Sequence, residues 1–277
     1  MKELTVRTNA GQIAVVDSEG SGFPCLMIHG NSSCKEVFRN QLDGDIGKEF
    51  RCIAIDLPGH GNSSDAVNPA KDYTMPGYAA TAAEVMAQLG YNRYGVLGWS
   101  LGGHVGIEMI PKVGHDGPMM GLMISGTPPV GLGAEAVGEG FVTSEHMHLA
   151  AQAELSDEEV DAYAHATCGR NAPFEDFLRE AVARTDGRAR KTMFDNFMAG
   201  HGSNQRGVTV NSPIPVAIVN GSEDEFVNNE YIRSLDYKNL WEGRVYDLSG
   251  IGHAPFWEAP DQFDPYLRRF LHSLAAS

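Results

Sequence analysis

Eight residues constrain this chain more than any others: Val96-Leu-Gly-Trp-Ser-Leu-Gly-Gly103. The apolar run Tyr94 to Leu97 enters the segment, and a helix-like stretch, Leu101 to Ile110, leaves it. Gly98-Trp99-Ser100-Leu101-Gly102 fits Gly-x-Ser-x-Gly, a sharp strand-to-helix turn that lifts a serine hydroxyl clear of a sheet. The glycines follow from the geometry. Side chains beside such a turn would meet the neighbouring strand and helix, and the serine itself sits in strained backbone. The same turn aims the Leu101 N–H, at a helix N-terminus, toward developing negative charge. The plainer alternative is a glycine-rich turn with an incidental serine, so the rest of the chain must supply the partners.

Before the turn, Leu4 to Arg7 and Gln12 to Val16 read as a hairpin around Asn9-Ala10-Gly11. Pro24 to Ile28 and Arg51 to Ile55 are compact apolar runs, read as buried strands. The first ends in His29-Gly30-Asn31, where the Asn31 N–H is the candidate second oxyanion donor beside Leu101. The second ends in Asp56-Leu57-Pro58-Gly59-His60-Gly61, whose His60 is read as a brace for the loop. Pro76 to Leu89 carries apolar residues at helical spacing and stops at Gly90. Strand, helix and strand into the turn make a parallel βαβ unit.

Met119 to Ile124 is another buried strand. From Val130 no strand-like run occurs for about eighty residues. Helix-like segments occur instead at Glu158–Ala166, Phe174–Ala183 and Arg188–Phe197, with Ser156 and Glu159 spaced as a capping box. The expectation is an α/β fold with a mostly parallel sheet and an inserted helical cap. Its core is residues 1–129 and 211–277, and the cap is residues 130–210. Strand character returns at Pro215 to Val219 and Arg244 to Leu248, and Gln262 to Leu274 closes the chain as a helix.

A serine nucleophile needs a base, and the base needs an acid to orient it. Asn220-Gly-Ser-Glu-Asp-Glu225 follows one late strand and Gly252-His253 follows the next, which gives the order Ser100, Asp224, His253. Glu223 and Glu225 flank the chosen acid. Asp224 is preferred because it stands three residues after Gly221, and its neighbours are read as a solvated acidic loop.

A net charge of −15 argues against nucleic acid and anionic membranes as partners. No window is long and apolar enough to span a bilayer. The N-terminus lacks the apolar stretch of a secretory signal, and Cys25, Cys34, Cys52 and Cys168 are scattered, which suits reduced thiols in a cytoplasmic protein. No metal or other cofactor is expected. His146 and His148 lack the following Asp-His of a metallo-hydrolase cluster, and no phosphate-binding glycine loop is present. The expected partner is a small acyl lactone or ester, and the expected state is a monomer or weak homo-oligomer.

Taken together, the chain resembles the α/β-hydrolase superfamily throughout. It is most similar to the metal-independent N-acyl-homoserine lactonases, the AidH-like quorum-quenching enzymes. The likeness runs through Met27-Ile-His-Gly-Asn-Ser-Ser33, the Pro58-Gly-His-Gly61 loop, Gly98 to His104, and Gly126-Thr-Pro-Pro-Val130. It continues through Ala183 to Arg190, Asn204-Gln-Arg206 and Gly252-His-Ala-Pro-Phe256. The resemblance implies that Ser100 and His253 are nucleophile and base, that Asn31 and Leu101 form the oxyanion hole, and that Tyr163 contacts the lactone or its amide. It implies further that Trp99 bounds the pocket. One position departs: the resemblance implies a family member with Glu where Asp224 stands, so a side chain shorter by one methylene must sit closer to His253. Met147, Phe141 and Phe197 are candidates for the acyl pocket, with core packing the expected role of each.

Overall fold

A computed structural model describes residues 1–169 and 171–277, leaving only Arg170 outside the description. The strands are β1 Lys2–Thr8, β2 Gly11–Asp17, β3 Pro24–Ile28, β4 Arg51–Ile55, β5 Tyr94–Trp99, β6 Met119–Ser125, β7 Val216–Gly221 and β8 Tyr246–Leu248. They form one eight-stranded sheet in the order β1-β2-β4-β3-β5-β6-β7-β8. β1 and β2 pair antiparallel with Thr8 opposite Gly11, which is the expected hairpin. β2 is also antiparallel to β4, and from β4 to β8 every pairing is parallel.

Side chains on a strand alternate between faces, so each central strand feeds two cores. Ile28, Val96, Ile124 and Ile218 pack with the helices Met75–Gln88 and Leu101–Met109. Met27, Leu97, Met123 and Ala217 pack with Phe263, Leu267, Phe270 and Leu271 of the closing helix Pro260–Ala275. β5 is buried along all six residues, as its continuous apolar run required. The sheet therefore presents the carboxyl ends of β3, β5, β6 and β7 together at one edge, where open parallel sheets collect their functional groups.

Between β6 and β7 the chain is helical, with segments at Gly133–Gly140, Asp157–Cys168, Asp176–Arg184, Gly187–Met198 and Gln205–Val210. The capping box is formed: the Glu159 N–H donates to Ser156 Oγ at 3.2 Å, and the Ser156 N–H donates to Glu159 Oε2 at 2.7 Å. The insertion carries its own small core of Leu149, Val160, Tyr163, Ala164 and Val182. Arg190 ties it down. Its guanidinium is buried, donating to the carbonyls of Gln152 and Ala153 and to Ser32 Oγ, the last in the loop after β3.

All four cysteines are free and buried, and burial pushes the Cys25 thiol up to about 12. No helix among the described residues is long and apolar enough to cross a membrane.

Candidate active site

Ser100 occupies the turn between β5 and the helix that begins at Leu101, with φ 53° and ψ −118°. A non-glycine residue held there costs roughly 1–3 kcal/mol and persists only where its surroundings enforce it. Here they do. A Cβ at Gly98 would stand 2.3 Å from the Gly102 carbonyl oxygen, and one at Gly102 would stand 1.9 Å from the Ile28 carbonyl oxygen. The β6 end holds the turn from the other side. Ser100 N–H donates to the Ser125 carbonyl at 2.9 Å, and Thr127 Oγ1 donates to the Ser100 carbonyl at 3.0 Å.

His253, in the loop after β8, meets Asp224, in the loop after β7. Its Nδ1 lies 2.7 Å from Asp224 Oδ2. Asp224, the middle of the three consecutive acids, reaches the ring. Its carboxylate is fully buried and the histidine side chain nearly so. The other carboxylate oxygen, Oδ1, accepts the N–H groups of Phe226 at 2.9 Å and Val227 at 3.2 Å. With Nδ1–H directed at the acid, Nε2 keeps its lone pair for a proton. The ring is boxed by Phe226 at 4.9 Å and Trp99 at 5.6 Å between centroids. Gly126, at φ 58°, makes room for it, since a Cβ there would lie 2.8 Å from His253 Cε1.

The loop after β3 carries Asn31. His29 Nδ1 donates to the Gly30 carbonyl at 2.7 Å, and its Nε2 accepts the Leu57 N–H at 3.0 Å, which locks this loop to the one after β4. Asp56 adds a second lock by accepting Lys35 N at 2.7 Å, Lys35 Nζ at 3.0 Å and Asn62 N at 2.8 Å. His60 is buried, donates to the Pro58 carbonyl and packs its ring, tilted, 5.1 Å from His29, so it belongs to this scaffold. Asn31 Nδ2 donates to the Ala150 carbonyl at 3.0 Å and lies 3.5 Å from the Tyr163 hydroxyl, and its Oδ1 accepts from Ser32 Oγ. Its side chain thus joins sheet loop to helical insertion. Asn31 and Leu101 line the same space, and the Leu101 N–H stands in the first helical turn where no intrahelical partner exists.

That space is a cavity of about 210 Å³. Asn31, Trp99, Ser100, Leu101, Tyr163 and His253 all line it, and Asp224 stands behind His253. Among the described residues no hydrogen bond joins the Ser100 hydroxyl to the His253 ring; such contacts often tighten only when substrate arrives. Phe141, Met147 and Phe197 line the cavity, and Met147 and Phe197 also pack against the core as expected. An apolar residue on the inward face of a helix is out of water in either case, so pattern alone does not separate the two roles. Sequence reasoning passed over Met75, His104, Met193, Phe194 and Phe226, which also form the wall. His104 carried a readable signal, four residues after Ser100 and so on the same helix face. No group of three His, Cys, Asp or Glu residues among the described ones is placed to hold a metal. His148 is exposed and donates to the Glu145 carbonyl.

A family model described as "Alpha/beta hydrolase family" matches residues 25–265. The chain belongs to the α/β hydrolase family. It is a hydrolase whose fold matches the N-acyl homoserine lactonase AidH complexed with N-butanoyl homoserine at a TM-score of 0.95. The two are 49% identical over 99% of this chain and 97% of that one. A serine-to-glycine variant of AidH, complexed with N-hexanoyl homoserine lactone, matches equally well, at 0.95 and 49% over 99% and 98%. Among curated proteins, a pimeloyl-[acyl-carrier protein] methyl ester esterase of Nitrosomonas europaea is 23% identical over 263 residues, 90% of this chain and 95% of the esterase.

Proposed function

We propose that this protein opens the lactone ring of N-acyl-homoserine lactones through an acyl-enzyme on Ser100. The observation that carries the reading is the pairing of that cavity with 49% identity to AidH along 99% of the chain. The AidH complexes hold the two ends of such a reaction, N-hexanoyl homoserine lactone in the serine-to-glycine variant and the ring-opened N-butanoyl homoserine in the other.

In this mechanism His253 Nε2 takes the Ser100 proton as Oγ attacks the lactone carbonyl. Asp224 holds the Nδ1–H and stabilises the imidazolium. The oxyanion accepts hydrogen bonds from the Asn31 and Leu101 N–H groups, a contribution of about 3 kcal/mol per donor in comparable sites. Collapse breaks the ring C–O bond, and the departing alkoxide takes the proton from His253. The alcohol stays on the acyl group now esterified to Ser100. Water, deprotonated by His253, attacks that ester and frees N-acyl-homoserine. Tyr163 and Asn31 are positioned to contact the lactone or its amide, and Trp99 bounds the ring site.

Mass spectrometry of the products decides the matter. A mass gain of one water, with no free homoserine lactone and no free fatty acid, is expected. Release of homoserine lactone would mean amide cleavage. Specificity constants higher for simple p-nitrophenyl esters than for acyl-homoserine lactones would make the protein a general esterase. Ligand-induced thermal stabilisation without any hydrolysis would make it a receptor on a hydrolase scaffold. Ser100→Ala is expected to abolish turnover while keeping the fold and much of the binding.

A further inference from the structure

The cavity wall is apolar apart from a few groups, and one of these is unused by the proposed chemistry. His104 lies one helical turn beyond Ser100 and lines the cavity between the rings of Phe197, at 5.1 Å, and Phe141, at 6.1 Å. Its Nδ1 is 2.6 Å from Gln205 Oε1. That carboxamide has a fixed orientation, because its Nε2 donates to Glu108 Oε1 at 3.3 Å and to Met75 Sδ at 3.4 Å. Glu108 in turn accepts the Ser203 N–H at 2.9 Å and the Ser203 hydroxyl at 2.8 Å. His104, Gln205 and Glu108 are all at least nine-tenths buried.

The chain of donors and acceptors has one consistent solution. Glu108 accepts, so the Gln205 amide nitrogen faces it and the amide oxygen faces His104. His104 must then carry its proton on Nδ1, which leaves Nε2 a bare acceptor. Turning the carboxamide over would set its oxygen against the Glu108 carboxylate in a dry interior. Burial also holds the ring neutral, with its pKa lowered to about 4. Among the described residues no protein group bonds to Nε2, and the residue borders the cavity.

We propose that His104 Nε2 is a fixed hydrogen-bond acceptor for the acyl chain and selects substrates with a hydroxyl, rather than a ketone, on the third acyl carbon. The inference rests on the lactonase reading above. Four helical residues rise about 6 Å. The third acyl carbon lies five bonds from the lactone carbonyl, also about 6 Å when extended. A hydroxyl there donates to Nε2. A ketone presents only lone pairs to a lone pair, and an unsubstituted chain leaves the acceptor unpaired, so discrimination against the ketone is the larger effect.

The test compares kcat/KM for 3-hydroxyhexanoyl, 3-oxohexanoyl and hexanoyl homoserine lactone in the wild type, His104→Leu and Gln205→Leu. The wild type is expected to favour the hydroxy over the oxo substrate by about tenfold, the value of one hydrogen bond. His104→Leu is expected to level the pair to within about twofold. Gln205→Leu, which removes the tautomer lock, is expected to reduce the preference. An equal ratio in the wild type, or a preference that survives in His104→Leu, overturns the proposal. A two-bond proton–nitrogen correlation spectrum of histidine-labelled wild type supplies a readout without substrate. The Nδ1–H tautomer of His104 is expected, and the Nε2–H tautomer ends this inference alone. A wild type that opens no lactone ends the functional reading, while the tautomer measurement still decides whether the acceptor exists.

Discussion

Trp99 donates its indole N–H to the carbonyl oxygen of His253 at 2.9 Å. The residue before the candidate nucleophile is thus bonded to the backbone of the candidate base, 154 positions along the chain. Trp99→Phe keeps the ring and removes the donor, leaving a buried carbonyl without a partner. A stability loss of about 1–3 kcal/mol is expected. A fall in kcat of about tenfold should accompany it as His253 loses its register. Urea denaturation and steady-state kinetics check the two effects, and an unchanged kcat would mean that the bond does not position the base.

Asp224 uses both oxygens, one on His253 and one on the N–H groups of Phe226 and Val227. Asp224→Asn keeps the size but presents a neutral group, and kcat is expected to fall about 10³- to 10⁴-fold. Asp224→Glu keeps the charge and lengthens the side chain. Its extra methylene breaks the short-range turn around Oδ1, so an intermediate loss of about ten- to a hundredfold is expected. Single-turnover rates of the three proteins rank these outcomes.

Arg190 is a buried cation held by carbonyls and a hydroxyl, and its pKa is lowered by burial. Arg190→Met strands the carbonyls of Gln152 and Ala153, at about 1–3 kcal/mol each. It also frees Ser32, and through it Asn31. Stability and kcat/KM are therefore both expected to fall. Arg190→Lys is not expected to rescue, because one ammonium does not reproduce a planar fork of donors. Thermal melts alongside kinetics show whether the two losses travel together.

Burial lowers the pKa of His29, His60 and His104, the last to about 4. Unfolded, each takes a proton near the ordinary value, so the unfolded chain binds more protons in this window. Their contribution to stability is fully present above about pH 6.5 and is lost as pH falls toward the folded values. Asp264 has the opposite sign. Its folded pKa is raised to about 6, chiefly by burial, so its protonated form favours the native state and its contribution is lost as pH rises through that value. With three groups against one, the unfolding free energy measured in urea is expected to decline from pH 7.5 to pH 5. Asp264→Asn should steepen that decline by removing the opposing group.

The framework was legible wherever one residue type answers one physical demand. Pro24–Ile28 and Arg51–Ile55 were read to the residue, because apolar runs bounded by loops describe buried parallel strands completely. The turn at Ser100 was legible because only glycine fits at Gly98 and Gly102, where any side chain would strike backbone. Other features depend on what stands opposite in space. Glu223, Asp224 and Glu225 are alike in one dimension, and only the path of the loop brings Asp224 to the imidazole. Phe141, Met147 and Phe197 are apolar in sequence whether their neighbour is another side chain or a void. Arg190 sits on an otherwise ordinary amphipathic helix, and nothing local announces that its partners are the carbonyls of Gln152 and Val182 and the hydroxyl of Ser32.

Four methionines, Met75, Met147, Met193 and Met198, stand in the wall around Ser100. Thioether side chains swing among rotamers at little cost, so such a wall yields gradually where a rigid ring of branched residues would stop a guest at one atom. Lengthening the tail of the guest should bring a smooth decline in efficiency with no abrupt cut-off. Replacing two of these sulfurs by isoleucine should convert the slope into a step.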